Sequence, residues 1–511
     1  MNSIITLNIG TSAVNLIAYD LIGNEIAIRK GTYPTFHEKP NYSEQDPEQV
    51  FITVLFVLKG LLNDPIFTKK HTVVSIVLSS AMHTVLSVDN HGVPIGNAII
   101  WADNRASSEA KDLDLSSLGT ELYFATGTPI HPMSPLAKIA WIKNKEPERF
   151  KKTFKFISLK EYIIFQLTGQ YIIDYSLASA TGLFNIHTLT WETNALDYAG
   201  INSSHLSEAK PIYFSDLKLL PELAKSLKIS VKTKILIGSS DGCFSTIGSG
   251  VVRKGQAIIS ITTSSAVRVA SKEVIKDKNR RIFNYILDKD HYVSGGPSNN
   301  GAVVFDWFGR QFGDFKNGLD FEHAISDLLK EASYVKPGAN GLLFLPYLLG
   351  ERAPIWNSNA RGVYFGININ HRQKHFVRAT VEGILFEIYS IGKNLQKHRA
   401  FETLCVNGFF ATIPFCAQIL ADMFNINVNS NRNLNSSNSG AALLALTDLG
   451  IYKNLDEAAK SVSFSEIYEP NTQNNTRYEQ FYDIFEKLSQ ILGSEFDKIA
   501  SLQDDVEQIN Y

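Results

Sequence analysis

The sequence predicts an α/β fold in two large lobes, on three observations. Apolar, β-branched runs alternate with segments of helical character, the pattern of an α/β protein with a mixed sheet. The chain has 511 residues, more than one hydrophobic core normally supports. Two strand-turn-strand stretches resemble each other, with Ser264-Ser-Ala-Val267 lying over Thr11-Ser-Ala-Val14. Two related lobes, 1–245 and 246–511, each offering a phosphate-type turn toward a cleft between them, would account for all three.

Composition narrows the class of partner. Lys and Arg number 49 against 51 Asp and Glu, a formal charge of -2, with no basic block of the kind that binds nucleic acid or a membrane surface. The N-terminus lacks a basic, apolar leader, and no apolar run approaches the roughly 20 residues of a membrane span. Cys243, Cys405 and Cys416 have no metal-like spacing, and so sparse a count suits a reducing compartment. The expectation is a soluble cytoplasmic protein with no nucleic-acid or membrane partner, disulfide or zinc site.

In chain order, Ile4–Leu7 opens a strand, Asn8-Ile-Gly-Thr-Ser12 is a small-residue turn, and Ala13–Tyr19 returns as a strand. That turn offers N–H groups and hydroxyls suited to phosphate oxygens, although an ordinary hairpin turn looks much the same. Asp46-Pro47 followed by Gln49 reads as an N-cap, a first-turn proline and a capping-box partner for a helix through Leu62. His71–Ser80 is a β-branched run fit for a central strand. Trp101-Ala-Asp-Asn-Arg105 combines a ring face, an acceptor and a cation at a strand end, which suits a polyol or sugar acid. A salt bridge beside a half-buried Trp would give the same pattern. His83 and His131 read either as ligand contacts or as satisfied core and loop histidines. Gly127–Pro135 is the most proline-dense stretch, and helices Pro135–Asn144 and Leu159–Thr168 and the Ser/Ala-rich Asp174–Gly182 follow it.

The organising stretch is Ile235–Gly250, an apolar run ended by Gly238 that breaks into a turn bearing Asp241. A lone acid just beyond a strand's carboxyl end sits where ligands bind in α/β proteins, so Asp241 reads as a catalytic base. Ser-Asp-Gly is equally common helix-start chemistry, which would make it only a cap. Later segments with clear character are the helical His375–Leu395, the strand Leu404–Asn407 leading into a loop, the helix Pro414–Phe424, the small-residue helix from Ser439, and an amphipathic tail from Arg477.

Together these pieces resemble the FGGY carbohydrate kinases over nearly the whole chain. The matching stretches are Asn8–Ser12, Glu44–Pro47, Ala81–His83, Trp101–Arg105, Gly238–Gly242, Thr262–Ser264, Gly350-Glu-Arg-Ala-Pro354 and Pro414–Asp422. The stretches at 127–135 and 174–182 are more similar to gluconate kinases than to glycerol kinases, with xylulose kinase as the nearest competitor. The resemblance implies two ribonuclease-H-like, actin-type lobes around a central cleft, and ATP-dependent, Mg²⁺-assisted phosphorylation of a sugar or sugar acid. Gluconate yielding 6-phosphogluconate is the first expectation, and a homodimer is one option for the assembly. It implies Asp241 as general base, and Met82, His83, Trp101, Asp103, Arg105 and Gly242 at the sugar. A substrate carboxylate is a separate expectation, with Arg105 or His131 helping to hold it at the substrate site. Gly10, Thr11, Ser12, Thr262, Thr263 and Ser264 would hold phosphates, with Gly408 and Phe409 beside the nucleotide.

The departures from the family pattern fall on the nucleotide side. The family usually has a metal-linked aspartate where this chain has Asn8, a basic residue at Asn15, glycines flanking the Thr263-Ser264 turn, and a glycine at Phe409. They predict weak magnesium-ATP binding and low turnover. The competing class is a kinase-fold module that binds a sugar acid with weak or no phosphoryl transfer.

Overall fold

A computed structural model describes residues 1–230, 232–312, 328–408, 410–430 and 435–509. The chain forms two compact units: Met1–Val252 with Ala270–Ser294 and Asn435–Val462, and Arg253–Val269 with Gly295–Leu434 and Ser463–Tyr511.

The first unit is built on five strands: β1 (Asn2–Ile9), β2 (Ala13–Asp20), β3 (Glu25–Thr32), β4 (Thr72–Ser80) and β5 (Lys234–Ser240). Their spatial order is β5-β4-β1-β2-β3, with β1, β2 and β3 antiparallel, β4 parallel to β1, and β5 parallel to β4. Central β1 buries Ile4, Ile5, Leu7 and Ile9 on both faces, hence its continuous apolar run, whereas edge strand β3 carries charge at Glu25, Arg29 and Lys30. Helix α1 (Pro47–Leu62) starts where expected, because the Asp46 carboxylate accepts from Glu48 N at 2.9 Å and Gln49 N at 3.2 Å, and Pro47 needs no donor. Its buried stripe Val50, Val54, Val57 and Leu61 has helical spacing and joins Leu7 and Leu16 in one core. Each such side chain contributes about 1.5–3 kcal/mol relative to exposure. Helices α2 (Pro135–Lys145), α3 (Leu159–Thr168) and α4 (Asp241–Gly248) complete the parts of this unit that matter below.

In the second unit β6 (Gly255–Ile261) pairs antiparallel with β7 (Ser265–Ser271) and parallel with β8 (Phe401–Asn407). Then follow β9 (Val428–Ser430) and β10 (Glu466–Tyr468). The β7-β6-β8 arrangement repeats that of β2-β1-β4. The faint Thr11/Ser264 repeat therefore falls at equivalent places, where the first strand of each set turns into its antiparallel neighbour. Helices α5 (Gln373–Gln396) and α6 (Pro414–Phe424) lie close to their expected bounds.

A single division near residue 245 differs from the observed one. Helix α7 (Ser436–Asp448) belongs to the first unit, because a Cβ on Gly248 would lie 1.9 Å from Ser436 O and one on Gly440 2.0 Å from Phe244 O. Two glycines thus let α4 and α7 touch backbone to backbone. The amphipathic tail is α8 (Thr472–Ile491), which buries Tyr478, Tyr482, Phe485 and Leu488. No helix among the described residues is long and apolar enough to cross a membrane.

Candidate active site

Asp241 owes its place to a bulge. The β5–β4 register shifts between Leu236 and Ser239, and Gly238 sits there at φ +68°. A Cβ at this position would lie 2.0 Å from Leu78 O, so only glycine fits and the strand turns into α4 within two residues. The N-cap of α4 is Ser240, whose hydroxyl accepts from Cys243 N at 3.4 Å. Asp241 is the first helical residue, where the helix dipole favours a negative charge. Capping therefore falls to the serine of Ser-Asp-Gly. Ser437 Oγ donates to Asp241 O at 3.0 Å, and Ser245 and Ser436 hydroxyls meet at 2.9 Å, so α7 braces α4.

The loop after β4 holds Met82, half-buried against the core, and His83, a non-glycine residue at φ +67°. His83 Nδ1 lies 2.9 Å from Ala180 O, and its Nε2 lies 3.3 Å from Tyr285 Oη. Lys138 of α2 donates to both His83 O and Ile100 O at 2.7 Å, tying this loop to the segment that carries Trp101. Trp101 Nε1 donates to Thr11 Oγ1 at 2.9 Å, and a small cavity lined by Gly10, Thr11, Gln45, Ala81 and Trp101 joins the sugar-type segment to the first turn. Gly242 is buried in the first turn of α4.

Asp103 and Arg105 correct the clamp expectation. Asp103 is fully buried and accepts from Ser43 N at 2.6 Å. Arg105 Nε lies 2.9 and 3.0 Å from its two oxygens, and Nη2 donates to Asp103 at 2.7 Å and to Glu44 at 2.6 Å. The guanidinium also stacks 3.6 Å from the Tyr42 ring centroid. These nitrogens are spent on the protein's own acids rather than presented to a ligand carboxylate. His131 is likewise turned inward, 4% exposed, with Nδ1 accepting from Met133 N at 3.1 Å.

In the first turn Gly10 N donates to Ala13 O at 2.9 Å, and Tyr33 Oη and Gln45 Nε2 donate to Gly10 O and Thr11 O. Ser12 is left exposed and Thr11 partly so. Asn8 stands opposite Asn15 across β1–β2 and beside Ser79 of β4. Its Oδ1 is buried and has no hydrogen-bond partner among the described residues.

In the second unit the turn Thr262–Ser264 exposes Thr262 and Thr263, while Ala302 N and Val303 N donate to Thr262 O and Thr263 O at 2.8 and 3.3 Å. Gly408, at φ +83°, approaches β6 so closely that a Cβ would lie 2.3 Å from Ile261 O. Gly408 and the Thr262–Ser264 turn are thereby neighbours. Phe409 lies outside the described residues. Among the described residues no cluster of three or more His, Cys, Asp or Glu could itself hold a metal ion.

Residues 3–248 match the N-terminal domain, and 257–449 the C-terminal domain, of the FGGY family of carbohydrate kinases. The chain belongs to the FGGY carbohydrate kinases. It is 35% identical over 505 residues to a gluconokinase of Bacillus subtilis, 97% of each chain, and 31% identical over 490 residues to a xylulose kinase of Staphylococcus epidermidis, 95% of this chain and 96% of that one. Among solved structures, a gluconate kinase and a ligand-bound xylulose kinase from Lactobacillus acidophilus each superpose with TM-score 0.91 at 32% identity. They cover 98% of this chain and 99% and 100% of their own.

In this FGGY kinase Lys138 is the residue that sequence reasoning missed. Its only signal was a lysine inside the apolar stretch Leu136–Trp141. Burial pushes its amine from the ordinary 10.5 down to about 7, with nearby Asp103 opposing the shift. Between those values the unfolded chain binds the proton and the folded chain does not, so stability rises with pH across this window. A neutral amine still has two N–H groups for two carbonyls. The unfolding free-energy difference between parent and Lys138→Met is expected to grow from pH 7 to 10, by at most about 1.4 kcal/mol per pH unit. Urea titrations at several pH values check this, and a flat or falling difference contradicts it.

Proposed function

We propose that this kinase transfers the γ-phosphoryl group of ATP to gluconate, giving 6-phosphogluconate, with Asp241 taking the proton from the attacking hydroxyl. The observation that carries the reading is the placement of Asp241: Ser240 does the capping, and the Asp241 carboxylate stands at the first turn of α4. Phosphoryl transfer asks for alignment, charge neutralisation and one proton acceptor. His83 and Trp101, fixed by Lys138 and Thr11, frame the sugar. The hydroxyls of Thr11 and Ser12 in the first unit suit phosphate oxygens, as do those of Thr262, Thr263 and Ser264 in the second, where Gly408 lies close to Ile261. The substrate assignment leans on the gluconokinase likeness. A cytoplasmic location suits the three buried free cysteines and the use of ATP.

Mg²⁺ fits this donor set: Asn8 Oδ1 is an unsatisfied buried oxygen, Asp241 supplies a carboxylate, and the ion keeps several waters. Bound there, it would neutralise phosphate charge. Asn8 and Asn15 are cross-strand partners, so the acid and base that the family usually carries at these positions would face each other, and both charges are lost together. The double change Asn8→Asp with Asn15→Lys is expected to tighten magnesium-ATP about tenfold, the worth of one charge-assisted contact. Calorimetric titration checks this, and equally tight binding by the parent contradicts a weakened site.

Xylulose is the second reading, favoured by the commitment of Arg105 to Asp103 and Glu44, which leaves no dedicated carboxylate clamp at that position. Incubation with magnesium-ATP and equimolar gluconate and xylulose, followed by mass spectrometry, separates the two. Phosphogluconate is the expected main product, and a predominance of xylulose phosphate would replace the proposal with the second reading.

A further inference from the structure

Behind Asp241 runs a buried polar chain that the transfer step does not itself use. Lys160 of α3 and Asp174 form an ion pair, Nζ to Oδ2 2.7 Å, with side chains 1% and 0% exposed. Lys160 Nζ also donates to Ser239 O at 3.2 Å. The other oxygen of Asp174 accepts from the backbone N–H groups of Ser176 and Leu177, each at 3.0 Å, and from the Ser176 hydroxyl. Ser176 Oγ accepts in turn from Ser239 Oγ at 2.8 Å and from Ser240 N at 2.7 Å. One hydroxyl thus spends its proton on Asp174 and both lone pairs on the two residues between Gly238 and Asp241, so its bonding capacity is fully used.

We infer that Lys160, Asp174 and Ser176 are positioning residues for Asp241, setting the rotation of the β5–α4 junction from which its carboxylate projects. Stability alone does not account for the arrangement. A buried ion pair costs desolvation, and an apolar pair of similar volume is often as stable or more so. What this chain of bonds supplies is direction. It reaches Ser239 through both carbonyl and hydroxyl, and Ser240 through its N–H, next to the residue whose carboxylate must meet a hydroxyl at hydrogen-bond distance. Gly238 removes side-chain support at the bulge, so the orientation of the junction depends on these contacts. The inference rests on the reading of Asp241 as general base.

The test uses full-length Ser176→Ala, Asp241→Asn and the double variant with magnesium-ATP and whichever of gluconate and xylulose the parent turns over. Misplacing a reacting group by about 1 Å costs on the order of 10²-fold, so Ser176→Ala is expected to lower kcat about 10- to 100-fold while the sugar KM stays within about threefold. Because Ser176 acts through Asp241, adding Ser176→Ala to Asp241→Asn is expected to cost nothing further. Ser239→Ala, which removes one donor only, is expected to lower kcat less with the same unchanged KM, and it supplies the same readout if Ser176→Ala fails to fold. A parent-like kcat with a lowered Tm, or losses that multiply in the double variant, overturns the inference while the base reading stands. Parent-like turnover by Asp241→Asn overturns both.

Discussion

Asp241→Asn is expected to lower kcat about 10²- to 10⁴-fold, the usual worth of a general base, while sugar affinity stays within about threefold. The amide keeps the shape and much of the hydrogen bonding of the carboxylate but accepts no proton at neutral pH. Folding is expected to change little, because the cap of α4 is Ser240 and the first-turn charge that the amide removes is worth about 0.3–1 kcal/mol. Steady-state kinetics beside equilibrium sugar binding separates the two effects. A comparable loss of binding would make Asp241 chiefly a substrate anchor, and no loss of rate would remove it from the chemistry.

Arg105→Ala is expected to destabilise the first unit by about 3–5 kcal/mol, the usual cost of removing one partner of a buried ion pair. The side chain of Arg105 is 2% exposed, and its loss strands the wholly buried carboxylate of Asp103 and leaves Glu44 without its cation. It also removes the plane stacked on Tyr42. Urea unfolding measures the cost. In the surviving folded fraction, gluconate and xylulose are expected to weaken alike, because the guanidinium acts through Asp103 and Glu44 and not on a ligand carboxylate. Selective loss of gluconate would restore the clamp that the sequence suggested.

That contrast shows where the sequence was legible. Local chemistry was readable: Asp46-Pro47 starts α1, and α3 and α6 fall at Leu159–Thr168 and Pro414–Phe424 as expected. The duplicated β-arrangement left a trace at Thr11 and Ser264, because both turns join the same kind of strand pair. What stayed hidden depends on distant pairings. Lys138 reaches carbonyls 55 and 38 residues away, and Ser176 finds its partners 63 and 64 residues on. Helix α7 packs on α4 across 191 residues, so no composition shift near 245 could assign it to the first unit. For Arg105, residue type alone could not tell a ligand-facing guanidinium from one consumed by Asp103 and Glu44. The Ser-Asp-Gly ambiguity had the same origin, since backbone geometry decides which of two adjacent capping residues turns its oxygen to the helix.

The most direct test of the central claim is kcat/KM for gluconate and for xylulose with magnesium-ATP, measured on the purified parent and on Asp241→Asn. Gluconate is expected to exceed xylulose on the parent, and both values are expected to collapse in the variant. Xylulose exceeding gluconate, or a variant that keeps the parent's rate, would contradict that claim.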